Sequence, residues 1–134
     1  MRYTKIVTSF IKDNDKLLIL KRSDQVKSMK GLWAGISGII ENDEEPLERA
    51  KIEIFEEVGI TEDKITLIKT TEEMRVNSPQ YTNHEWEIFP FLFESKNPTV
   101  KLNWENSDFK WIDVDELENY ETVPSLQKVL FNLL

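Results

Sequence analysis

Residues 38–60 read GIIENDEEPLERAKIEIFEEVGI, and the fold of the chain turns on this stretch. Pro46 suits the first turn of a helix, where its missing N–H costs nothing, and Gly59 stands where a C-terminal stop is expected. The acidic residues around Pro46 complement the positive end of a helix dipole. One helix is therefore predicted over residues 46–58. Leu47, Ala50, Ile54 and Val58 recur at helical spacing and form its buried stripe. At roughly 100° per residue, Glu53, Glu56 and Glu57 fall together on another face. Three carboxylates are thereby aimed into one small volume.

Upstream of this helix, residues 4–11 alternate and are β-rich, Asp13-Asn14-Asp15 is a turn, and residues 16–21 (KLLILK) form a second strand. The chain opens with a hairpin. A loop over residues 22–30 leads into GLWAGISGII, residues 31–40, whose glycines and apolar residues suit short strands and a tight bend. Downstream, residues 64–71 and 85–94 (EWEIFPFLFE) read as strands, separated by a polar loop over residues 77–84 that contains Pro79 and Tyr81. Residues 109–114 read as a short strand, and residues 124–134 (PSLQKVLFNLL) have helical spacing. With no repeat, low-complexity tract or linker, residues 1–134 are expected to form one α/β domain, a mixed sheet between helices. The final helix, with Leu126, Val129, Leu130, Leu133 and Leu134, offers either core or a homodimer surface.

Composition narrows the function. The 134 residues carry seven Phe and four Trp, enough for an ordinary core, and no apolar run approaches the roughly 18 residues of a membrane span. The N-terminus runs into a strand pattern without a signal-peptide core, so the protein is expected to be soluble and cytoplasmic. The absence of cysteine excludes disulfides, thiolate metal sites and a Cys nucleophile, and a single His leaves little room for a His-based metal site. A formal charge of -8 argues against a nucleic-acid polymer as ligand. Much of that charge sits in one segment, at Glu41, Asp43, Glu44, Glu45, Glu48, Glu53, Glu56 and Glu57, against Arg49 and Lys51. A solvated helix face is one explanation. A cation site is the other.

Such a site suits the hydrolysis of a diphosphate. Anionic substrate repels any nucleophile, and divalent cations relieve this by neutralising phosphate charge and acidifying a water. Mg2+ takes oxygen ligands and keeps some waters. Carboxylates at i, i+3 and i+4 of a rigid helix present those ligands, and a backbone carbonyl at the Gly38 bend adds another. Crowded like charges raise carboxylate pKa values in the empty site, so metal binding should stabilise the fold.

Side by side, the glycines and carboxylates read G-x5-E-x8-E-I-x-E-E-x-G-I, filled by Gly38, Glu44, Glu53, Ile54, Glu56, Glu57, Gly59 and Ile60. This resembles the Nudix box, G-x5-E-x7-R-E-U-x-E-E-x-G-U with U aliphatic, at eight of nine defined positions over 23 residues. The resemblance implies a Nudix-type α/β/α sandwich with a central mixed β-sheet. It implies a metal-dependent hydrolase of a phosphoanhydride in a nucleoside diphosphate linked to another moiety, with Mg2+ as cofactor and Mn2+ able to substitute. The implied metal ligands are Glu56 and Glu57 with the Gly38 carbonyl. Glu53 is a further ligand or the general base, Glu44 orients the others, and Glu105 matches a position where some members supply one more acidic ligand. Trp33, Tyr81 and Trp86 are candidates to stack on a base, and Arg22 or Lys27 to reach phosphate. His84, in the polar loop, is read as solvent-facing.

One departure bears on the enzyme reading. Where the consensus has Arg, this chain has Ile52, so the guanidinium that holds the catalytic Glu is missing. Lys51 lies about 100° away around the helix. Arg49, four residues before Glu53, projects toward the carboxylates and is expected to supply part of the lost orientation, the alternative being a surface ion pair. Asp43 replaces a common Gly in a loop. Outside the box, WAGISG, PFLF, WEN and ETVP look like Nudix domains fused to translation-initiation-factor-like chains, which also lack the box Arg. The rival function is a Nudix-fold nucleotide-sensing or protein-binding domain without turnover.

Overall fold

The computed structural model describes residues 2–78 and 81–134. Pro79, within the predicted polar loop, lies outside the described residues. Eight strands form one mixed sheet: β1 (Arg2–Asp13), β2 (Lys16–Arg22), β3 (Trp33–Ala34), β4 (Ile36–Ile39), β5 (Thr66–Thr70), β6 (Met74–Asn77), β7 (His84–Glu94) and β8 (Asn106–Ile112). The helices are α1 (Pro46–Val58) and α2 (Leu126–Leu133), and 3-10 turns occupy Glu62–Lys64 and Val114–Asn119. Among the described residues, no helix is long and apolar enough to cross a membrane.

The opening hairpin forms, but its strands pair only beside the turn, at Lys12↔Leu17 and Asp13↔Lys16. They then diverge. β1 pairs in parallel with β7 from Arg2↔His84 to Lys12↔Glu94 and takes β4 antiparallel along Ile6–Ser9. β2 pairs antiparallel with β8 and β3. β5 and β6 both lie antiparallel on the far side of β7.

Strand side chains alternate between faces, and the two faces carry different cores. On one, Ile6, Phe10, Leu17, Ile19, Ile88, Leu92 and Ile112 pack with Leu126, Val129, Leu130 and Leu133 of α2. On the other, Val7, Ile11, Leu18, Leu20, Phe91 and Phe93 pack with Ala50, Ile54 and Val58 of α1. The result is an α/β/α sandwich. Residues buried on both faces explain why LLIL in β2 is a continuous apolar run instead of an alternating one. Most of α2's apolar stripe is core, as the sequence allowed, while Leu134 stays exposed.

Three elements depart from the expected pattern. β6 falls in a segment assigned no structure, because MRVN is short and mixes charge with apolar residues. β8 begins at Asn106, three residues before the expected start, since its polar first half is recruited by pairing to Lys21 and Arg22 across a bulge. The 3-10 turn after β8 is closed by a capping box between Asp113 and Glu116.

Candidate active site

α1 is placed by both of its ends. Pro46 occupies the first turn, and Gly59 closes the helix in the left-handed region at φ 74°, donating its N–H to Phe55 O. Ala50, Ile54 and Val58 fix the helix against the sheet. That orientation also buries the neighbouring carboxylates Glu53 and Glu57. Gly38, on β4, faces Glu53. A Cβ there would run into the Glu53 side chain, so glycine at 38 is what lets helix and strand close around the carboxylate.

Arg49 joins the acidic groups. Its Nε donates to Glu44 Oε1 at 3.0 Å, Nη2 to Glu44 Oε2 at 2.6 Å and Nη1 to Glu53 Oε2 at 3.0 Å. Glu44 Oε1 also accepts the backbone N–H of Glu41 at 2.8 Å, which stiffens the loop before the helix. The Arg49 guanidinium holds Glu44 below its ordinary pKa, with the Glu41 N–H adding to the effect. Lys51 points elsewhere, to Glu48 and Glu62, and Ile52 is 40% exposed.

Glu57 has no comparable partner. Only 4% exposed, it accepts a long bond from Asn106 Nδ2 at 3.4 Å and its carboxyl meets that of Glu53, as a proton-sharing pair would, while Oε2 itself is buried without a hydrogen-bond partner among the described residues. Burial first, then the charges of Glu105 and Glu53, push its carboxyl well above the ordinary range. Burial likewise raises Glu53, against the pull of its Arg49 hydrogen bond and with a push from Glu56. Glu56 is exposed and, among the described residues, has no hydrogen-bond or ion-pair partner. Also among the described residues, no three acidic or His side chains converge into a ready-made cage for an ion. The fit to a divalent cation rests instead on Glu57: a buried oxygen that lacks a donor and faces like charges would be satisfied by a divalent cation.

Glu57, Glu105 and Gly38 line one end of a cleft of about 400 Å3. Its floor is made of alternate residues of the parallel pair, Thr4, Ile6 and Thr8 of β1 beside His84, Trp86 and Ile88 of β7. Tyr81, 58% exposed, stands at the rim, and Arg22 enters from the end of β2, its Nε and Nη2 donating to Ser28 O. Val123 to Leu126 and Val129 also line the cleft. A second hollow, about 550 Å3, opens beside Gly59, Lys64 and Ser95, but none of the box carboxylates lines it. Convergent chemistry, not volume, selects the first.

Of the residues expected to meet substrate, Arg22, Tyr81 and Trp86 line the cleft. Trp33 does not. It is 8% exposed, packed in the α2-side core, edge-on to Tyr120 at 5.3 Å, and is not part of the cleft lining. Lys27 is likewise absent from the lining. His84, expected to face solvent, instead sits in the cleft with Nε2 2.5 Å from Thr4 Oγ1 and Nδ1 buried without a partner among the described residues. The signal was available: extending the strand alternation of Trp86 and Ile88 back by two residues reaches His84.

A family model described as NUDIX domain matches residues 2–133. The chain belongs to the Nudix family. Among curated relatives, this Nudix chain is 27% identical to a dihydroneopterin triphosphate diphosphatase of Haemophilus influenzae over 151 residues, covering 96% of this chain and 87% of the relative. It is 28% identical over 138 residues to the nucleoside triphosphatase NudI of Escherichia fergusonii, covering 97% and 96%. Among solved structures, it superposes on a MutT protein from Methanosarcina mazei Go1 with a TM-score of 0.76 at 22% identity, over 98% of this chain and 91% of that one. The C. elegans Ap4A hydrolase gives a TM-score of 0.73 at 17% identity, over 98% and 93%. The fold is thus the Nudix sandwich. The chain is a Nudix pyrophosphohydrolase, an enzyme of phosphoanhydride hydrolysis.

Proposed function

We propose that this Nudix enzyme is a cytoplasmic, Mg2+-dependent hydrolase of a nucleoside diphosphate linked to another moiety, and that Mn2+ substitutes for Mg2+. The observation that carries the reading is the buried Glu57 Oε2 without a hydrogen-bond partner among the described residues, near Glu105 in the lining of a cleft of about 400 Å3. Glu57 and Glu56, with the Gly38 carbonyl, are the ligand set, and Glu105 adds a carboxylate from the facing loop. When bound, the cation offsets phosphate charge and lowers the pKa of a water. Glu53, with one oxygen held by Arg49 and its carboxylate set against Glu57, would serve as a further ligand of the cation or take the proton that a water loses as it attacks phosphorus. Glu44 braces this arrangement from the loop through Arg49.

On the substrate side, Tyr81 and Trp86 offer faces for a base, and Arg22 offers its guanidinium to phosphate. The relatives' names favour triphosphate substrates: one is named for dihydroneopterin triphosphate and another for nucleoside triphosphates. The test is a panel of nucleoside triphosphates, dihydroneopterin triphosphate, ADP-ribose and dinucleoside polyphosphates, with product analysis in Mg2+, in Mn2+ and in EDTA. Metal-dependent release of a nucleotide monophosphate or pyrophosphate supports the proposal. No hydrolysis of any member despite measurable metal binding favours a nucleotide-sensing or protein-binding domain, the reading that Ile52 motivates. Against that rival stands the burial of Glu53 and Glu57 against each other, with Glu105 nearby, a self-repulsion a binding module has no need of.

A further inference from the structure

The consensus box carries its arginine immediately before the first helical glutamate, and here that position is the exposed, apolar Ile52. One turn earlier, Arg49 makes a two-pronged bond to Glu44 and a third bond to Glu53, with only 13% of its side chain accessible. We propose that Arg49 is the positioning residue of this enzyme, a relocated box arginine that locks Glu53 toward Gly38 and ties the loop carboxylate Glu44 to the helix. This rests on the hydrolase reading for its catalytic consequence but not for its geometry.

The placement follows from helix geometry. Residue 49 lies four positions before Glu53, hence on nearly the same face, so its guanidinium reaches Glu53 from the preceding turn and still has its planar fork for the loop. Five donors in a fixed plane can hold two carboxylates at once, whereas a lysine ammonium is a point charge. Both carboxylates have a second restraint: Glu44 accepts the Glu41 N–H, and Glu53 is walled by Gly38. Among the described residues, Arg49 is thus the single cation that bridges the Glu44 loop to Glu53. Glu57, which Arg49 does not reach, retains its open oxygen.

The relocation is tested by moving the charge back. Arg49→Ala should lower kcat about 10–100-fold, the range typical of losing a partner that orients a metal-site carboxylate, with KM changed less than about threefold. Mn2+ affinity, read by electron paramagnetic resonance without substrate, should fall by about tenfold or more. Adding Ile52→Arg to Arg49→Ala should recover most of both losses, which a merely structural role for Arg49 would not allow. Arg49→Met, which keeps the apolar stem, replaces the alanine variant should that one fail to fold. Turnover and Mn2+ affinity within about twofold of the parent in the Arg49 variant, or a double variant no better than the single one, would overturn the proposal. A parent protein that hydrolyses nothing, yet loses Mn2+ affinity on Arg49→Ala and regains it with Ile52→Arg, keeps this assignment and sinks the hydrolase reading instead.

Discussion

Glu57 is the residue whose surroundings are least comfortable without a cation. Because its folded pKa is raised, the folded state holds a proton that the unfolded chain releases first. Without metal, stability therefore falls as pH climbs from the ordinary carboxylate range through the raised value, and levels off above it. Glu44, held low by Arg49, acts with the opposite sign, and its contribution is lost only as pH drops below that range. Urea unfolding in EDTA at a series of pH values should show the decline, and saturating Mg2+ should flatten it. Glu57→Gln should abolish hydrolysis yet stabilise the metal-free protein at neutral pH by about 1–3 kcal/mol, since it removes the cost of either burying the carboxylate charge or taking up a proton on folding. A Glu57→Gln variant less stable than its parent in EDTA would contradict this account. Gly38 gives a complementary test. Gly38→Ala crowds Glu53 directly, and overpacking of this kind costs about 1–3 kcal/mol, with turnover lost alongside.

At the level of elements, α1 was legible because every part of it has a chemical signature. Proline and glycine mark its ends, an apolar stripe marks its buried face, and a second stripe of carboxylates marks its use. β6 and the first half of β8 had no such signature, since pairing to β7 and β2 supplies what their own residues lack. The site divides the same way. Spacing places Glu53, Glu56 and Glu57 on one helix, but the structure buries Glu53 and Glu57 and leaves Glu56 exposed, so the expected convergence of three carboxylates is not seen among the described residues. The cleft is built from alternate residues of β1 and β7, strands that only the parallel register brings side by side, so the meeting of His84 with Thr4 was beyond local pattern. Trp33 shows the converse: a large aromatic near the box suggested stacking, and the core claimed it. The helix stop also makes a prediction. Gly59→Ala places a Cβ at φ 74° beside Lys101 and should lower stability by about 1–2 kcal/mol in urea titration.

Across the whole molecule, the net charge of -8 and the acidic site should make stability sensitive to divalent cations. A ligand that binds only the folded state at about 100 times its dissociation constant adds about 2.7 kcal/mol. Calorimetry should therefore record a higher Tm in Mg2+ than in EDTA, with the increment much reduced in the Glu57→Gln variant. An increment of equal size in both proteins would place the cation elsewhere.

The parallel register of β1 with β7 has a temporal consequence. All the box residues are translated by Ile60, but β4, which presents Gly38 to Glu53, hangs on β1, and β1 gains its partner along its full length only once Glu94 has emerged. A nascent chain therefore carries its whole complement of box carboxylates for some time before β4 can close on them, with only the local Arg49 bonds to Glu44 and Glu53 available. Contacts this distant in sequence are slow to form. Completion of β7, rather than synthesis of the box, sets when β1 and β4 can present Gly38 to Glu53.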